Sequence, residues 1–235
     1  MTIAENLEVV RERMRLACQR SQRPESDVKL IAVTKYVETA RIAEAVNAGV
    51  TEIGENRAQE FTEKLNFYKQ NDLRAHFIGQ LQTNKVKYIC GKADLIQSVD
   101  REPLLDAIHA YAEKHGITQD ILIEVNIGRE PQKGGVMPEA LIPLAGRIAS
   151  LDHVRLRGLM CVPPAVGQEA VRPYFREMRE WYERLQALYP QLPIDTLSMG
   201  MSHDFDTAIE EGATTVRVGT AIFGPRNYTG GKQNG

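Results

Sequence analysis

Eight short runs of β-branched and aliphatic residues recur along this chain, and a helical stretch separates each from the next. The runs are 28–34, 51–54, 75–78, 95–99, 120–127, 154–160, 194–198 and 214–219. Between them, apolar residues recur at spacings of three and four over 38–48, 58–68, 84–90, 102–115, 138–150, 171–189 and 204–211. Glycines at 49, 91, 116 and 212 stop four of these helices, and Pro138 suits the first turn of another. Strands joined by crossovers of this length pair in parallel, with right-handed connections. Eight such units in about 200 residues predict a single (β/α)8 TIM barrel. A doubly wound open sheet is the alternative. It would place a glycine-rich fingerprint in the first βα turn, and that turn reads Thr34-Lys35-Tyr36-Val37, without glycine. An extra helix precedes the barrel. Thr2 and Glu5 fit a capping box, and Ile3, Leu7, Val10, Met14 and Cys18 line one helical face up to Arg23-Pro24. Residues 1–225 therefore read as one barrel domain, with 1–24 as its N-terminal helix. The polar, glycine-rich stretch 226–235 reads as a mobile tail.

Composition narrows the function classes. The chain has 235 residues, with 29 Lys and Arg against 31 Asp and Glu, a net charge of −2. That balance argues against a dedicated nucleic-acid binder. No apolar run approaches the ~20 residues that span a bilayer. The acidic N-terminus lacks a signal-peptide pattern, so a cytoplasmic location is expected. Cys18, Cys90 and Cys161 are odd in number and widely spaced, which suits buried filler rather than disulfides or metal ligands. The five histidines are dispersed without metal-ligand spacing. His76 reads as a strand residue with a core or wall role, and His109 and His115 as solvated helix residues. Gly200-Met-Ser202 is not a nucleophile elbow, because Asp204 stands where the second glycine would.

In a barrel the chemistry sits at the C-terminal ends of the strands. The seventh strand ends in Ser198-Met-Gly-Met-Ser202 and the eighth in Arg217-Val-Gly-Thr220. Small residues and hydroxyls in these two loops suit a phosphate, and a helix beginning near His203 adds its N-terminal dipole. Lys35 comes just after the run Leu30–Val33, past Thr34, and is expected at the same mouth. Partial burial would lower its pKa and make it a nucleophilic amine for a Schiff base. Lys85, further along its own loop, is the backup. On the eighth strand Val216 and Val218 alternate with Thr215, Arg217 and Gly219, which turns Arg217 inward; a pairing with Glu55 or Glu124 is the alternative role for it.

These residues carry a resemblance. The segments Ile31-Ala-Val-Thr-Lys35, Gly54-Glu-Asn-Arg-Ala-Gln-Glu60, His76-Phe-Ile-Gly-Gln-Leu-Gln-Thr-Asn-Lys85, Asn126 with Glu130, Lys133 and Gly135, Arg157-Gly-Leu-Met160, Ser198–Ser202 and Val216–Gly224 resemble the pyridoxal 5′-phosphate homeostasis proteins, which are related to the alanine racemase barrel domain. The resemblance spans nearly the whole chain. It implies a fold-type III barrel in which Lys35 carries pyridoxal 5′-phosphate as an internal aldimine. Ser198, Met201, Ser202, Gly219 and Thr220 would surround the phosphate, Arg217 would face the pyridine nitrogen, and Asn56 would lie beside the lysine. Met160 would complete the cofactor-binding set. No catalytic residue and no metal ligand is implied. The implied role is non-catalytic, in intracellular cofactor and amino-acid homeostasis, and the chain is expected to be a monomer. A small pyridoxal-phosphate-dependent amino-acid racemase is the alternative, and a cofactor-free Schiff-base aldolase acting on a sugar phosphate a third class. Three departures from the family pattern are visible. Thr34 stands where a serine is usual, Val37-Glu38 where a proline is usual, and His203 where an aspartate is common.

Overall fold

The computed structural model describes residues 1–225; the expected tail, 226–235, lies outside the described residues. The strands are β1 (Lys29–Val33), β2 (Glu52–Glu55), β3 (Arg74–Phe77), β4 (Leu95–Val99), β5 (Gln119–Val125), β6 (Val154–Cys161), β7 (Thr196–Ser198) and β8 (Thr215–Val218). The helices are α1 (Ile3–Arg20), α2 (Thr39–Asn47), α3 (Ala58–Gln70), α4 (Val86–Ile89), α5 (Glu102–Lys114), α6 (Leu141–Ala149), α7 (Gln168–Leu188), α8 (Phe205–Glu210) and α9 (Thr220–Phe223). All strand pairings are parallel and the order β1 to β8 closes on itself. Ala32 pairs with Ile53 of β2 on one side and with Val218 of β8 on the other, which excludes the open-sheet alternative.

The expected elements occur, with shifted ends. α7 begins at Gln168, not Val171, so Pro173 stands inside it rather than in its first turn. The stretch 84–90 is a 3-10 turn followed by the four-residue α4. α9 had no sequence counterpart, because four residues are too few to display a helical period. Within β6, Gly158 has φ +143°, and a Cβ there would lie 1.8 Å from the Thr196 carbonyl oxygen, so only glycine lets β6 and β7 approach.

Strand alternation separates two interiors. Ile96, Ile121, Ile123, Leu159, Val216 and Val218 join the main core between barrel and helices. Leu95, Leu122 and Met160, from alternate positions on β4, β5 and β6, form a separate buried cluster inside the barrel. α1 has its capping box and lays Ile3, Leu7, Val10, Ala17 and Cys18 onto the barrel's outer layer. Burying each of the larger aliphatic side chains contributes about 1.5–3 kcal/mol. The same helix grips the elements after β7 and β8: Asn6 Nδ2 donates to the Ile222 carbonyl at 2.8 Å, and Arg13 pairs with Asp206 at 2.8 Å. No described helix is long and apolar enough to cross a membrane.

Candidate functional site

At the C-terminal mouth, Lys35 leaves β1 and lines a small cavity of about 40 Å³ together with Val33, Val37, Gly219, Thr220, Phe223 and Gly224. The lysine and the loop after β8 are therefore neighbours, as β1–β8 pairing requires. The backbone around Lys35 is tightly tied. Thr34 N–H donates to the Gly54 carbonyl at 2.9 Å, and Val37 N–H donates to the Thr34 carbonyl at 3.0 Å, closing a four-residue turn. Tyr36, third in that turn, has φ +60°, a left-handed conformation uncommon outside glycine and asparagine. The Arg57 guanidinium lies 5.0 Å from the centre of its ring.

The loops after β7 and β8 meet through one hydroxyl. Ser202 Oγ accepts from the Gly219 and Ala221 amides at 3.3 and 3.2 Å. Met201 is exposed, and its N–H donates to Asp204 Oδ1 at 2.6 Å. Thr220 is exposed and Gly219 half-buried, so this rim faces solvent. His203 is exposed beside it, its carbonyl accepting from Gln168. Burial pushes the Asp204 carboxyl up, against its bond to the Met201 amide and the nearby charges of Arg217 and His203.

Ser198 is placed differently from Ser202. It is fully buried, and its hydroxyl donates to Gln97 Oε1 at 2.7 Å while accepting from Arg217 Nη1 at 2.6 Å. Arg217, 4% exposed, also donates through Nη2 to the Cys161 carbonyl at 2.7 Å. Among the described residues it forms no ion pair with Glu55 or Glu124. Burial pushes its pKa down, but a guanidinium keeps its proton at ordinary pH. The polar chain continues inward: Gln97 Nε2 meets His76 Nδ1 at 3.2 Å, and His76 Nε2 stands 3.0 Å from Glu52 Oε2. His76 thus has the wall role expected of it. His109 is a correction: it is half-buried, not solvated, with its Nδ1 lacking a hydrogen-bond partner among the described residues and its ring 6.0 Å from that of His153.

Asn56 brings the second strand to the mouth. Its Oδ1 is buried and has no hydrogen-bond partner among the described residues. A buried amide oxygen left unpaired costs about 1–3 kcal/mol, so it marks a place where a donor from outside the chain is wanted. Asn56 also edges a groove of about 810 Å³ that runs past Arg57, Gln80, Gln82 and Lys85. Across the mouth, Glu124 of β5 and Asp100 after β4 converge near Gly134, where a Cβ would lie 3.6 Å from an oxygen of each. Burial, and secondarily the Asp100 charge, pushes the Glu124 carboxyl up to about 7.

One cluster has no precedent in the sequence reading. Glu55, fully buried at the end of β2, takes Lys64 Nζ of α3 at 2.8 Å and Tyr68 Oη at 3.2 Å. Thr34 Oγ1 lies 3.3 Å from the same carboxylate. Burial pushes the Glu55 carboxyl up, against the pull of the Lys64 ammonium. The available signal was Phe61-x-x-Lys64-x-x-x-Tyr68, a lysine on the apolar face of a helix. The residues Asn126, Glu130, Lys133 and Gly135, which carried part of the resemblance, brace their own loop. Asn126 exchanges hydrogen bonds with the Glu130 backbone at 2.8 and 3.1 Å, and Lys133 Nζ reaches the Pro163 carbonyl at 2.9 Å. Among the described residues no group of three His, Cys, Asp or Glu could hold a metal ion, and all three cysteines are buried.

With this geometry in hand, the chain can be set beside known proteins. Residues 5–227 match the family model described as alanine racemase, N-terminal domain. The chain is 50% identical over 229 residues to the pyridoxal phosphate homeostasis protein of Aquifex aeolicus, covering 97% of this chain and 100% of that one. It is 40% identical over 232 residues to the protein of the same name from Pasteurella multocida, covering 97% of this chain and 100% of the other. Among solved structures it resembles PipY of Synechococcus elongatus PCC7942 with PLP bound, at 36% identity and TM-score 0.82, covering 95% of this chain and all of PipY.

Proposed function

The chain belongs to the pyridoxal phosphate homeostasis protein family, and we propose that it binds pyridoxal 5′-phosphate covalently through Lys35 as a non-catalytic carrier. The observation that carries this reading is the shared cavity of Lys35 with Gly219 and Thr220, which makes the lysine a neighbour of a rim of small residues. The PLP-bound state of PipY at 36% identity supports the same ligand. The residues present fit it. Among the described residues Asn56 Oδ1 is a buried acceptor without a donor, and Arg217 is a buried cation with two of its five N–H groups committed, to Ser198 and Cys161.

In this reading Lys35 bonds through Nζ to the aldehyde carbon, and the aldehyde oxygen leaves as water. When bound, the cofactor would supply an electron sink for charge at an attached amino-acid carbon. Gly219, Thr220, Met201 and Ser202 hold the phosphate through amides and hydroxyls, since charge-assisted hydrogen bonds suffice without a lysine or arginine. Ser202 would exchange its present bonds to the Gly219 and Ala221 amides for the anion, and the Met201 amide would exchange Asp204 Oδ1 for it. Ser198 acts one layer down, orienting Arg217 toward the ring nitrogen, and Met160 with Leu95 and Leu122 fills the barrel below. Arg217 can only donate, so it keeps the ring nitrogen unprotonated and the sink weak. This favours a carrier over a racemase. The family membership and the acidic mouth residues Asp100 and Glu124 disfavour a sugar-phosphate aldolase. A cytoplasmic, monomeric protein engaged in cofactor and amino-acid homeostasis is the setting we propose.

The test is borohydride reduction of the protein loaded with pyridoxal 5′-phosphate, followed by peptide mapping. Pyridoxyl is expected on Lys35, with the visible absorption band lost in Lys35→Ala. Label on Lys85 or another lysine in the wild type overturns the assignment.

A further inference from the structure

We propose that Glu60 and Lys64, on α3, are positioning residues for Lys35: together they clamp the peptide groups on both sides of it. The inference deepens the reading above and rests on Lys35 being the attachment point.

Lys35 occupies a turn closed by the Val37 N–H bond to the Thr34 carbonyl. A positive φ at the third residue of a turn, as in the type II form, is one that glycine and asparagine supply at little cost. Here that residue is Tyr36, at φ +60°. A bulky residue persists in that conformation only where its surroundings hold it. Two of the holding groups come from one helix. Glu60 Oε2 accepts the Tyr36 N–H at 2.8 Å, and Lys64 Nζ donates to the Thr34 carbonyl at 2.9 Å. The two side chains are four residues apart on α3, one turn, so they project side by side. They are also joined: Lys64 Nζ lies 3.4 Å from Glu60 Oε2 and 2.8 Å from the fully buried Glu55 carboxylate. The ammonium is thus fixed from below by Glu55, and both clamps share one ion cluster.

The consequence is directional. A lysine side chain is long and flexible, and its Cα defines the sphere its amine can sample. Fixing the peptide planes before and after Lys35 fixes the direction of its Cα–Cβ bond at the edge of the cavity that the residue lines with Gly219 and Thr220. A misplacement of about 1 Å in a reacting group can cost on the order of 100-fold in rate. Neither Glu60 nor Lys64 lines the cavity at Lys35, so neither is assigned a contact with the ligand.

The experiment compares wild type, Glu60→Ala, Glu60→Gln and Lys64→Met, each stripped of ligand and then mixed with pyridoxal 5′-phosphate. Two quantities are read: the rate of Lys35 labelling, by visible absorption and reductive mapping, and amide hydrogen exchange at residues 34–37. Glu60→Ala is expected to label Lys35 at least tenfold more slowly and to raise exchange at Tyr36 at least tenfold. Glu60→Gln keeps an acceptor for the Tyr36 amide and is expected to stay within threefold of wild type on both. Lys64→Met is expected to label more slowly than Glu60→Ala. Should it fail to fold, the two Glu60 variants decide the matter, since Glu60 is only partly buried. Wild-type labelling rate and unchanged exchange in Glu60→Ala overturn the clamp. Equal slowing in Glu60→Gln and Glu60→Ala also overturns it, because loss of charge alone would then explain the effect. Pyridoxyl found on another lysine in the wild type overturns the underlying reading instead, and the exchange data still decide the clamp.

Discussion

At the scale of single residues, the mouth of the barrel is a set of polar groups whose partners fix their chemistry. Arg217 is the clearest case: on sequence alone it could have paired with a carboxylate, and in the fold it donates to the Ser198 hydroxyl and the Cys161 carbonyl. Glu124 is the opposite case, a carboxyl lifted to about 7 by burial and by Asp100. Its unperturbed value is about 4.3, so between these values the folded protein keeps a proton that the unfolded chain has lost. Stability therefore falls as pH rises across that window, by on the order of 3 kcal/mol from this group. Glu124→Gln stays neutral throughout. It is expected to melt close to wild type at pH 5 and about 5–10 °C higher at pH 8. A melting-temperature difference that does not change with pH would refute this.

At the scale of elements, the site is made by loops resting on one another. Gly79, after β3, lies so close to the loop after β2 that a Cβ would stand 2.0 Å from the Asn56 carbonyl oxygen. Gly79→Ala must push these loops apart. Overpacking of this kind costs about 1–3 kcal/mol, and here it also moves Asn56, whose buried Oδ1 awaits a donor. A lower urea midpoint and weaker binding of pyridoxal 5′-phosphate are expected together. An unchanged midpoint would show that the loops part freely. The turn after β1 follows the same logic, with α3 holding from outside a conformation that Tyr36 does not favour.

At the scale of the whole molecule, the closed barrel sets β1 beside β8, and α1 reinforces that seam from outside. Arg13 reaches Asp206 on α8, its guanidinium 4.2 Å above the Phe205 ring, and Asn6 holds the end of α9. The lysine, the serine-bridged rim and the buried arginine are consequently parts of one wall. A site built this way suits retention of a ligand, and the loaded protein is expected to turn over L-amino acids more slowly than about 1 per second. Faster racemisation or transamination across a panel of amino acids would replace the carrier reading with the racemase alternative.

The local pattern of residues determined most of the architecture. Runs of period two, helical faces of period three to four, and glycine stops are read over a few residues, so they revealed eight strands, seven intervening helices, the Thr2–Glu5 cap and the position of Lys35 at a strand end. β4 was legible to the residue, while four-residue α9 was invisible because it is shorter than the period that would announce it. Inward placement of Arg217 was legible for the same reason, through the alternation of β8. What only the tertiary structure decided are the pairings between residues distant in the chain. These are the register in which β8 closes on β1, the burial of Ser198 beneath Arg217, the orphaned oxygen of Asn56, and the Glu55–Lys64 pair behind the Lys35 turn. Such contacts join groups brought together by packing and leave no periodicity in the chain. A lysine on a helix's apolar face and a tyrosine in a glycine's conformation each read locally as exceptions, and only the fold supplies the partner that stabilises them.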